Sequence, residues 1–148
     1  MDKDSVLQLM DRLAFFGDMD QSDKEALISM NQTILNYESG DKILAEGDVD
    51  FGFYVLMDGK VSVVRTQPTE VVLAQLVPGA IFGEVTLKGQ RIRTSSIVAD
   101  DKVTALKIDG RTAESISSKI MLKLKDQVIG LLIHRLDEVN KKLGTFIR

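Results

Sequence analysis

The sequence predicts a mainly β domain with helices at both ends, and two observations carry that prediction. In the middle of the chain, short runs rich in Ile, Val, Leu and Tyr are separated by glycine-containing turns at intervals of about seven to twelve residues, typical of an all-β sandwich or barrel. On either side, apolar residues recur at helical spacing. We expect one domain, 1–148, with helices in 1–32, a β region in 33–109 and helices in 110–148.

Length and composition narrow the class of protein. The chain has 148 residues, 44% of them hydrophobic and 28% charged, which is ordinary for a globular domain with its own core. A net charge of −3 argues against a nucleic-acid-binding surface. The chain has no Cys, no signal-peptide pattern and no apolar stretch of membrane-spanning length, so the sequence predicts a cytoplasmic protein with no membrane partner.

Two short amphipathic helices are predicted before the β region. Residues 5–16 carry apolar side chains at helical spacing. A second helix is predicted to begin at Ser22, because Ser22 and Glu25 match the capping-box pattern. Helices this short are marginal alone, so we expect both to pack as a lid on another element.

Several strands are predicted within the β region. Asp58-Gly59, between FYVLM and KVSVV, is the strongest hairpin signal, because Asp-Gly suits a turn with positive φ at both central positions. Further strands are predicted at 71–77, 97–99 and 103–108. Phe51, Phe53 and Tyr54 are expected to face the core.

The helical pattern returns after Asp109-Gly110, with a break predicted near Ser117-Ser118, whose hydroxyls compete with the helix backbone. The last part of this segment shows a heptad pattern of apolar residues, which we call the seam: Ile129, Leu132, Leu136, Val139, Leu143 and Phe146. A narrow seam flanked by charges favours a two-helix coiled coil, and so a homodimer. The alternative is a helix that packs this stripe on its own β domain.

The stretch GAIFGEVTLKGQRIRTSSI, residues 79–97, interrupts the β pattern and concentrates polar chemistry. Arg93 follows Glu84 by nine residues and precedes three hydroxyl side chains. An Arg fork and neighbouring donors suit a phosphate, whereas an ionised Glu accepts hydrogen bonds from a ligand hydroxyl. Together these groups describe a nucleotide site. The alternative is a surface ion pair between Glu84 and Arg93, worth less than about 1 kcal/mol.

The chain resembles the cyclic nucleotide-binding domain family, of the type found in catabolite activator protein and protein kinase A regulatory subunits. LAFFGDMDQSDKEAL resembles the family's N-terminal helical motif, and GDKILAEGDVDFGFYVLMDGKVSVV its β-roll pattern with two structural glycines. The loop 79–97 resembles the phosphate-binding cassette, in which a Gly-Glu pair and an Arg nine residues later are diagnostic. The resemblance implies an eight-stranded β-roll of the jelly-roll type, with N-terminal helices and a long C-terminal helix.

The same resemblance implies the ligand and the residues that bind it. The ligand would be cAMP or cGMP, with Glu84 accepting from the ribose 2′-hydroxyl and Arg93 pairing with the cyclic phosphate. The full set of implied phosphate and ribose contacts is Phe82, Gly83, Glu84, Val85, Arg93, Thr94 and Ser95. The chain departs from the common pattern at Ile92, where Pro is frequent, and at Thr94 and Ser95, where Ala is frequent. It also departs at Thr86, where Ala is common. None of these departures removes a phosphate or ribose contact, and the choice of base stays open.

In the family the base is often capped by the last helix, which by position implicates Arg135, Val139 and Asn140. Their alternative role is that of ordinary surface or seam positions. His134, the single His, is interpreted as a solvated helix residue. The sequence predicts no metal site, no catalytic residue and no cofactor beyond the cyclic nucleotide ligand.

These observations favour a sensor without enzymatic activity that reports ligand occupancy through its C-terminal helix, by changing dimer geometry or an attached output domain. The alternative is the sensory fragment of a catabolite activator-like transcription regulator whose DNA-binding domain lies outside this chain. A phosphodiesterase is disfavoured, because hydrolysis of a phosphodiester generally requires a metal cluster or a general base at the phosphate. A structural dimer with a cassette that has lost its ligand is a further alternative.

Overall fold

The computed structural model describes residues 2–30, 33–50, 52–66, 68–83, 91–92 and 95–147, with the backbone alone at 49–50, 91–92 and 145–147. The helices are α1 (Lys3–Asp11), α2 (Gln21–Ile28), α3 (Gly110–Ser115) and α4 (Ser118–Ile147), with a 3₁₀ turn at Ala14–Phe16. The strands are β1 (Ile34–Tyr37), β2 (Lys42–Leu44), β3 (Val49–Asp50), β4 (Phe53–Asp58), β5 (Val61–Arg65), β6 (Val71–Leu76), β7 (Ile81–Phe82), β8 (Arg91–Ile92), β9 (Ser96–Ala99) and β10 (Val103–Ile108).

Eight of these strands form two antiparallel four-stranded sheets. The first sheet has the order β1-β10-β4-β7, and the second has the order β2-β9-β5-β6. β3 and β8 form a separate two-stranded ribbon. The predicted eight-stranded roll with flanking helices is therefore confirmed.

The first sheet is buried on both faces, and strand β4 shows how. Phe53, Val55 and Met57 face a cluster formed with the helices, whereas Tyr54 and Leu56 face the second sheet. Side chains alternate across a strand, so a run of apolar residues in which every position is buried must lie between two layers. The sequence FYVLM is such a run, and the predicted core positions of Phe53 and Tyr54 are confirmed. Phe51 lies outside the described residues.

The N-terminal helices differ from their predicted bounds. Residues 5–16 form α1 and a separate 3₁₀ turn rather than one helix. The prediction that α2 begins at Ser22 is wrong. Its N-cap is Asp20, whose carboxylate accepts from the Asp23 amide at 2.8 Å, while the Asp23 carboxylate accepts from the Asp20 amide at 3.3 Å. Asp supplies the same acceptor as Ser in a capping box, and here Asp20, two residues before the predicted start of the helix, takes that role with Asp23 as its partner.

The predicted hairpin at Asp58-Gly59 is also wrong. Gly59 has φ of 86°, but β4 pairs with β10 and β7, whereas β5 pairs with β9 and β6. The turn passes from one sheet to the other. A Cβ at Gly59 would lie 2.1 Å from the Lys102 carbonyl oxygen, so this close approach demands glycine whichever strands the turn connects.

The predicted break in the C-terminal helical region is confirmed between α3 and α4. α4 then divides into two segments that are named here by their burial. The inner segment, residues 118–131, covers the helix-side cluster with Ile120, Leu124 and Val128, and Leu131 is the last residue packed there. In the outer segment, residues 132–147, every side chain from 132 to 144 is exposed. The alternative that the seam packs on its own β domain is therefore wrong for the described seam residues 129–143.

Candidate functional site

The candidate loop is entered from the first sheet. β7 pairs with β4, and the rings of Phe82 and Tyr54 are stacked with centroids 4.9 Å apart and planes inclined by 3°. Both residues are 3% exposed. Their stacked rings therefore pack the backbone at Phe82 against the core. Gly83 follows with φ of 79°, a conformation that favours glycine. The structure thus explains why Gly follows Phe82 within the loop 79–97.

The loop leaves on the second sheet. Before it joins that sheet, β8 pairs with β3, with Ile92 opposite Val49 and Arg91 opposite Asp50. Ser96 then begins β9, and its side chain is buried, with the residue only 2% exposed. The Ser96 hydroxyl oxygen accepts a hydrogen bond from the Glu46 amide at 2.9 Å. The loop therefore connects a strand of the first sheet to a strand of the second.

The structure describes three of the seven predicted phosphate and ribose contacts. Phe82 is buried in the core, and Gly83 and Ser95 are half-buried beside the loop. Glu84, Val85, Arg93, Thr94 and the departure at Thr86 lie outside the described residues, so their roles stay predictions. The alternative Glu84–Arg93 ion pair lies there too.

The structure does not bring the predicted base contacts onto the β-roll. Arg135, Val139 and Asn140 lie on the outer segment of α4 and are exposed. Val139 is 48% exposed and belongs to neither core cluster. His134 is exposed on the same segment. Among the described residues, no group of three or more His, Cys, Asp or Glu is arranged to hold a metal ion.

Glu46, next to the candidate loop, makes contacts that the sequence alone does not indicate. Glu46 lies in the turn between β2 and β3, where its carboxylate accepts from the Thr66 amide at 2.9 Å and from the Thr66 hydroxyl at 2.8 Å. These two hydrogen bonds, the amide one first, lower the pKa of Glu46 below its ordinary value, because they favour the ionised acceptor. Glu46-Gly47-Asp48 reads only as a turn in the sequence, since its partners are 20 and 50 residues away.

The inner segment of α4 is attached to the N-terminal helices by an ion pair as well as by apolar packing. Lys123 Nζ lies 2.8 Å from one carboxylate oxygen of Asp23, and Lys119 Nζ lies 3.9 Å from the other. The hydrogen bond from Lys123 lowers the pKa of Asp23, and the Asp23 carboxylate in turn raises the pKa of Lys123. Asp23 is only 6% exposed, so this pair ties α2 to the base of α4 through a largely buried carboxylate.

Comparisons with known proteins identify the family. The chain matches the family described as "Cyclic nucleotide-binding domain" over residues 34–119, more than half of its length. The chain belongs to the cyclic nucleotide-binding domain family, as the sequence resemblance indicated. The description of the family names cyclic nucleotides as what its members bind.

Curated relatives come from several kinds of protein. The chain is 27% identical over 143 residues to the CRP-like cAMP-activated global transcriptional regulator of Mycobacterium tuberculosis, covering 95% of this chain and 62% of the relative. It is 36% identical over 83 residues to the cAMP-dependent protein kinase type II regulatory subunit of Drosophila melanogaster, covering 55% and 21%. A dog cyclic nucleotide-gated channel beta-3 is 27% identical over 130 residues, covering 81% and 16%. The chain thus spans less than two thirds of these relatives.

Solved structures agree on the fold. The catabolite activator protein of Thermus thermophilus is 26% identical, with a TM-score of 0.70 over 89% of this chain and 62% of that one. The N-terminal domain of a transcriptional regulator from Streptomyces coelicolor is also 26% identical, with a TM-score of 0.66 over 90% and 95%. A cyclic nucleotide-binding domain from Methylobacillus flagellatus, 21% identical, has a TM-score of 0.73 over 94% and 80%. Among the described residues, no helix has both the length and the apolarity to cross a bilayer.

Proposed function

We propose that this chain is a sensor domain that binds a cyclic nucleotide, cAMP or cGMP, and reports its occupancy through the outer segment of α4. One observation carries the proposal. The Gly83-Glu84 pair and Arg93, the diagnostic pattern of the family's cassette, occur in a loop that bridges the two sheets of the family's fold. Binding there would engage both sheets at once.

Each end of the ligand has a matching group in this proposal. Arg93 pairs with the cyclic phosphate, because a guanidinium presents two parallel donors to two phosphate oxygens. Glu84 accepts from the ribose 2′-hydroxyl. Gly83 supports close backbone approach, since its positive φ turns the chain immediately after the buried Phe82. Val85, Thr94 and Ser95 complete the proposed contacts.

The proposed output is the outer segment of α4, which has no covering element among the described residues. The seam lies on its own face of the helix. At 3.6 residues per turn, the seam residues are rotated by roughly 100° from the buried residues of the inner segment. Ile129 is already exposed where Leu131 still packs on the core, so the seam is not a continuation of the core-facing stripe. We propose that the seam pairs with a second copy of the chain as a coiled coil.

Ligand occupancy is proposed to act by moving the outer segment toward the nucleotide base, with Arg135, Val139 and Asn140 as the contacts. These residues are exposed in this structure. A ligand shifts such an equilibrium only by the difference between its affinities for the two arrangements. We propose binding without catalysis, because Glu84 is assigned to a hydroxyl and the relatives are named as regulators or channels.

A second candidate function is supported by the relatives of the catabolite activator type. The match to the Mycobacterium tuberculosis regulator covers 95% of this chain but 62% of that protein. The match to the Thermus thermophilus protein likewise covers 62% of that protein. In this alternative the chain is the sensory part of a transcription regulator, and α4 passes the signal to a DNA-binding domain. The reading frame of the complete gene decides between the two, because a helix-turn-helix segment after residue 148 would establish the alternative.

Isothermal titration calorimetry with cAMP and cGMP tests the binding proposal. We expect saturable binding to the wild-type chain and a loss of about 2 kcal/mol or more in Arg93→Ala, since truncating one side of a charged, hydrogen-bonded pair leaves the other unpaired. Arg111→Ala removes an exposed Arg from α3 and is the matched control. Absence of heat with both nucleotides at millimolar concentration, or wild-type affinity in Arg93→Ala, would contradict the proposal.

A further inference from the structure

The segment that follows β2, residues 46–50, contacts the last part of the candidate loop at two points. We call that last part, residues 91–96, the arm. β3 holds β8 through the pairs Val49–Ile92 and Asp50–Arg91. Four residues further along the chain, the Ser96 hydroxyl accepts from the Glu46 amide at 2.9 Å. Only residues 93–95 lie between these anchors, and the four residue steps from Ile92 to Ser96 span at most roughly 14 Å of extended chain. The two anchors therefore flank the three residues that the family resemblance assigns to the phosphate.

The second anchor is closed by a bridge over the start of β9. In the second sheet β9 lies between β2 and β5, with Ser96 opposite Val64 of β5 and Ile97 opposite Leu44 of β2. The Glu46 carboxylate, just after β2, reaches across to Thr66, just after β5, and accepts from its amide and hydroxyl at 2.9 and 2.8 Å. β9 is thus fastened to both neighbours where it begins. We call Glu46, Thr66 and Ser96 the clasp.

The chemistry of the clasp separates it from an incidental surface contact. Ser96 is 2% exposed, and a hydroxyl buried in a strand needs a partner for its oxygen, which the Glu46 amide supplies. Two donors converge on one Glu46 carboxylate oxygen, and hydrogen bonds to an ionised acceptor are the stronger kind. The clasp therefore joins a buried strand end to a charged acceptor at the rim of the site.

We propose that Glu46, acting through Ser96, is a positioning residue for the phosphate-binding arm that carries Arg93. The inference rests on the proposed cyclic nucleotide function and adds to it a residue outside the loop. Ordering the arm before ligand arrives lowers the entropy lost on binding, so the clasp raises affinity without touching ligand. It also fixes which phosphate oxygen the arm addresses.

Two phosphorothioate analogues of cAMP test that second property. They are diastereomers that differ only in which exocyclic phosphate oxygen is replaced by sulfur, so the ratio of their affinities reports how strictly the arm is oriented. In Glu46→Ala we expect cAMP affinity to fall by about threefold to thirtyfold and the ratio to move toward one by a comparable factor. Glu46→Gln keeps a side-chain acceptor for Thr66 and should restore both values. Loss of general stability alone would not change the ratio.

The control is Asp41→Ala, which removes a carboxylate that accepts from the Glu38 amide at 2.8 Å in the turn before β2. This variant deletes a carboxylate–amide hydrogen bond at the opposite end of β2 from the clasp. It should leave the ratio of the two affinities unchanged. Ser96→Ala removes the acceptor for the Glu46 amide and is the second variant if Glu46→Ala does not fold. In an Arg93→Ala background, Glu46→Ala should have no further effect on cAMP affinity, because the clasp acts through the arm.

The outcomes separate the two proposals. If the wild-type chain binds neither cAMP nor cGMP, the proposed function fails, and the clasp fails with it. If the wild-type chain binds and discriminates between the diastereomers, but Glu46→Ala and Ser96→Ala give the same affinity and ratio, the clasp alone is overturned. Additive losses in the Arg93→Ala double variant would also overturn it, since Glu46 would then act independently of the arm.

Discussion

The inner and outer segments of α4 belong to one unbroken helix and carry apolar residues throughout, yet among the described side chains only the inner segment has residues buried in the core. Leu124 is fully buried, whereas Leu136, three turns later, is 59% exposed. In the inner segment the apolar face is accounted for by the cluster it shares with α1, the 3₁₀ turn and α2. In the outer segment the apolar pattern continues without a core beneath it. Apolar periodicity thus identifies an apolar face of the helix but not what covers it.

The largest expected loss of stability comes from a core substitution in the inner segment. Leu124→Ala should lower the free energy of unfolding by about 2–5 kcal/mol, because it removes buried methyl groups and leaves a cavity in the helix-side cluster. Urea denaturation followed by circular dichroism measures this loss. A change below about 1 kcal/mol would show that the inner segment is not part of the core.

Leu136→Ala is the matched control, since it makes the same substitution on the outer segment. It should change the free energy of unfolding of the monomer by less than about 0.5 kcal/mol at low protein concentration. If the seam pairs with a second copy, the same variant should weaken the dimer, as measured by sedimentation equilibrium. A seam without function would leave both measurements at their wild-type values.

The next effect concerns the ion pair that attaches the inner segment. Asp23→Asn keeps an acceptor for the capping box but removes the charge that faces Lys123, and it should cost about 1 kcal/mol near neutral pH. Thermal unfolding of the two proteins across pH measures the difference. A loss equal to that of Leu124→Ala would show that charge, rather than apolar packing, anchors the helix.

The pH dependence of that difference has a defined sign. The pKa of Asp23 is lowered from its ordinary value of 3.8, so its contribution is present above that value and is lost as pH falls through the folded-state pKa. The pKa of Lys123 is raised from its ordinary value of 10.5, so its contribution is present below that value and is lost as pH rises through the folded-state pKa. The difference between wild type and variant should therefore be flat from about pH 5 to 9 and shrink on both sides.

A smaller effect of opposite sign is expected at the boundary between the segments. Gly130 lies one residue before the last core contact, and a Cβ added there meets no atom within 4 Å. Gly130→Ala should stabilise the helix by about 0.5–1 kcal/mol, because Ala loses less backbone freedom on folding. Differential scanning calorimetry measures the shift. Destabilisation would mean that the backbone at this position requires glycine.

The comparison also shows which parts of the molecule were predictable from sequence. The strands were, because FYVLM and the runs near residues 71–77 and 103–108 carry their own local signal. The pairing around Asp58-Gly59 was not, since an Asp-Gly turn serves equally well within a sheet and between sheets. The cap of α2 was misplaced, because Asp20 and Ser22 are both good caps and the choice depends on Asp23, whose partner Lys123 is 100 residues away.

The candidate site likewise has one part that the sequence indicates and one part that it does not. The loop was recognisable as a candidate site because Gly83, Glu84 and Arg93 lie close together in the sequence at a diagnostic spacing. The clasp was not, because its hydrogen bonds join residues 20 and 50 positions apart. Local patterns thus indicate the groups that are proposed to touch a ligand, whereas the groups that are proposed to position them are brought together by the fold.

Amide hydrogen exchange of the two segments of α4, with and without saturating cAMP, tests the central claim most directly. We expect cAMP to slow exchange in the outer segment, residues 132–147, and to leave Leu124 and its neighbours in the inner segment unchanged, because the inner segment is already packed. Calorimetry on the same sample establishes that the site is occupied. Bound cAMP with identical exchange in the outer segment would contradict the account.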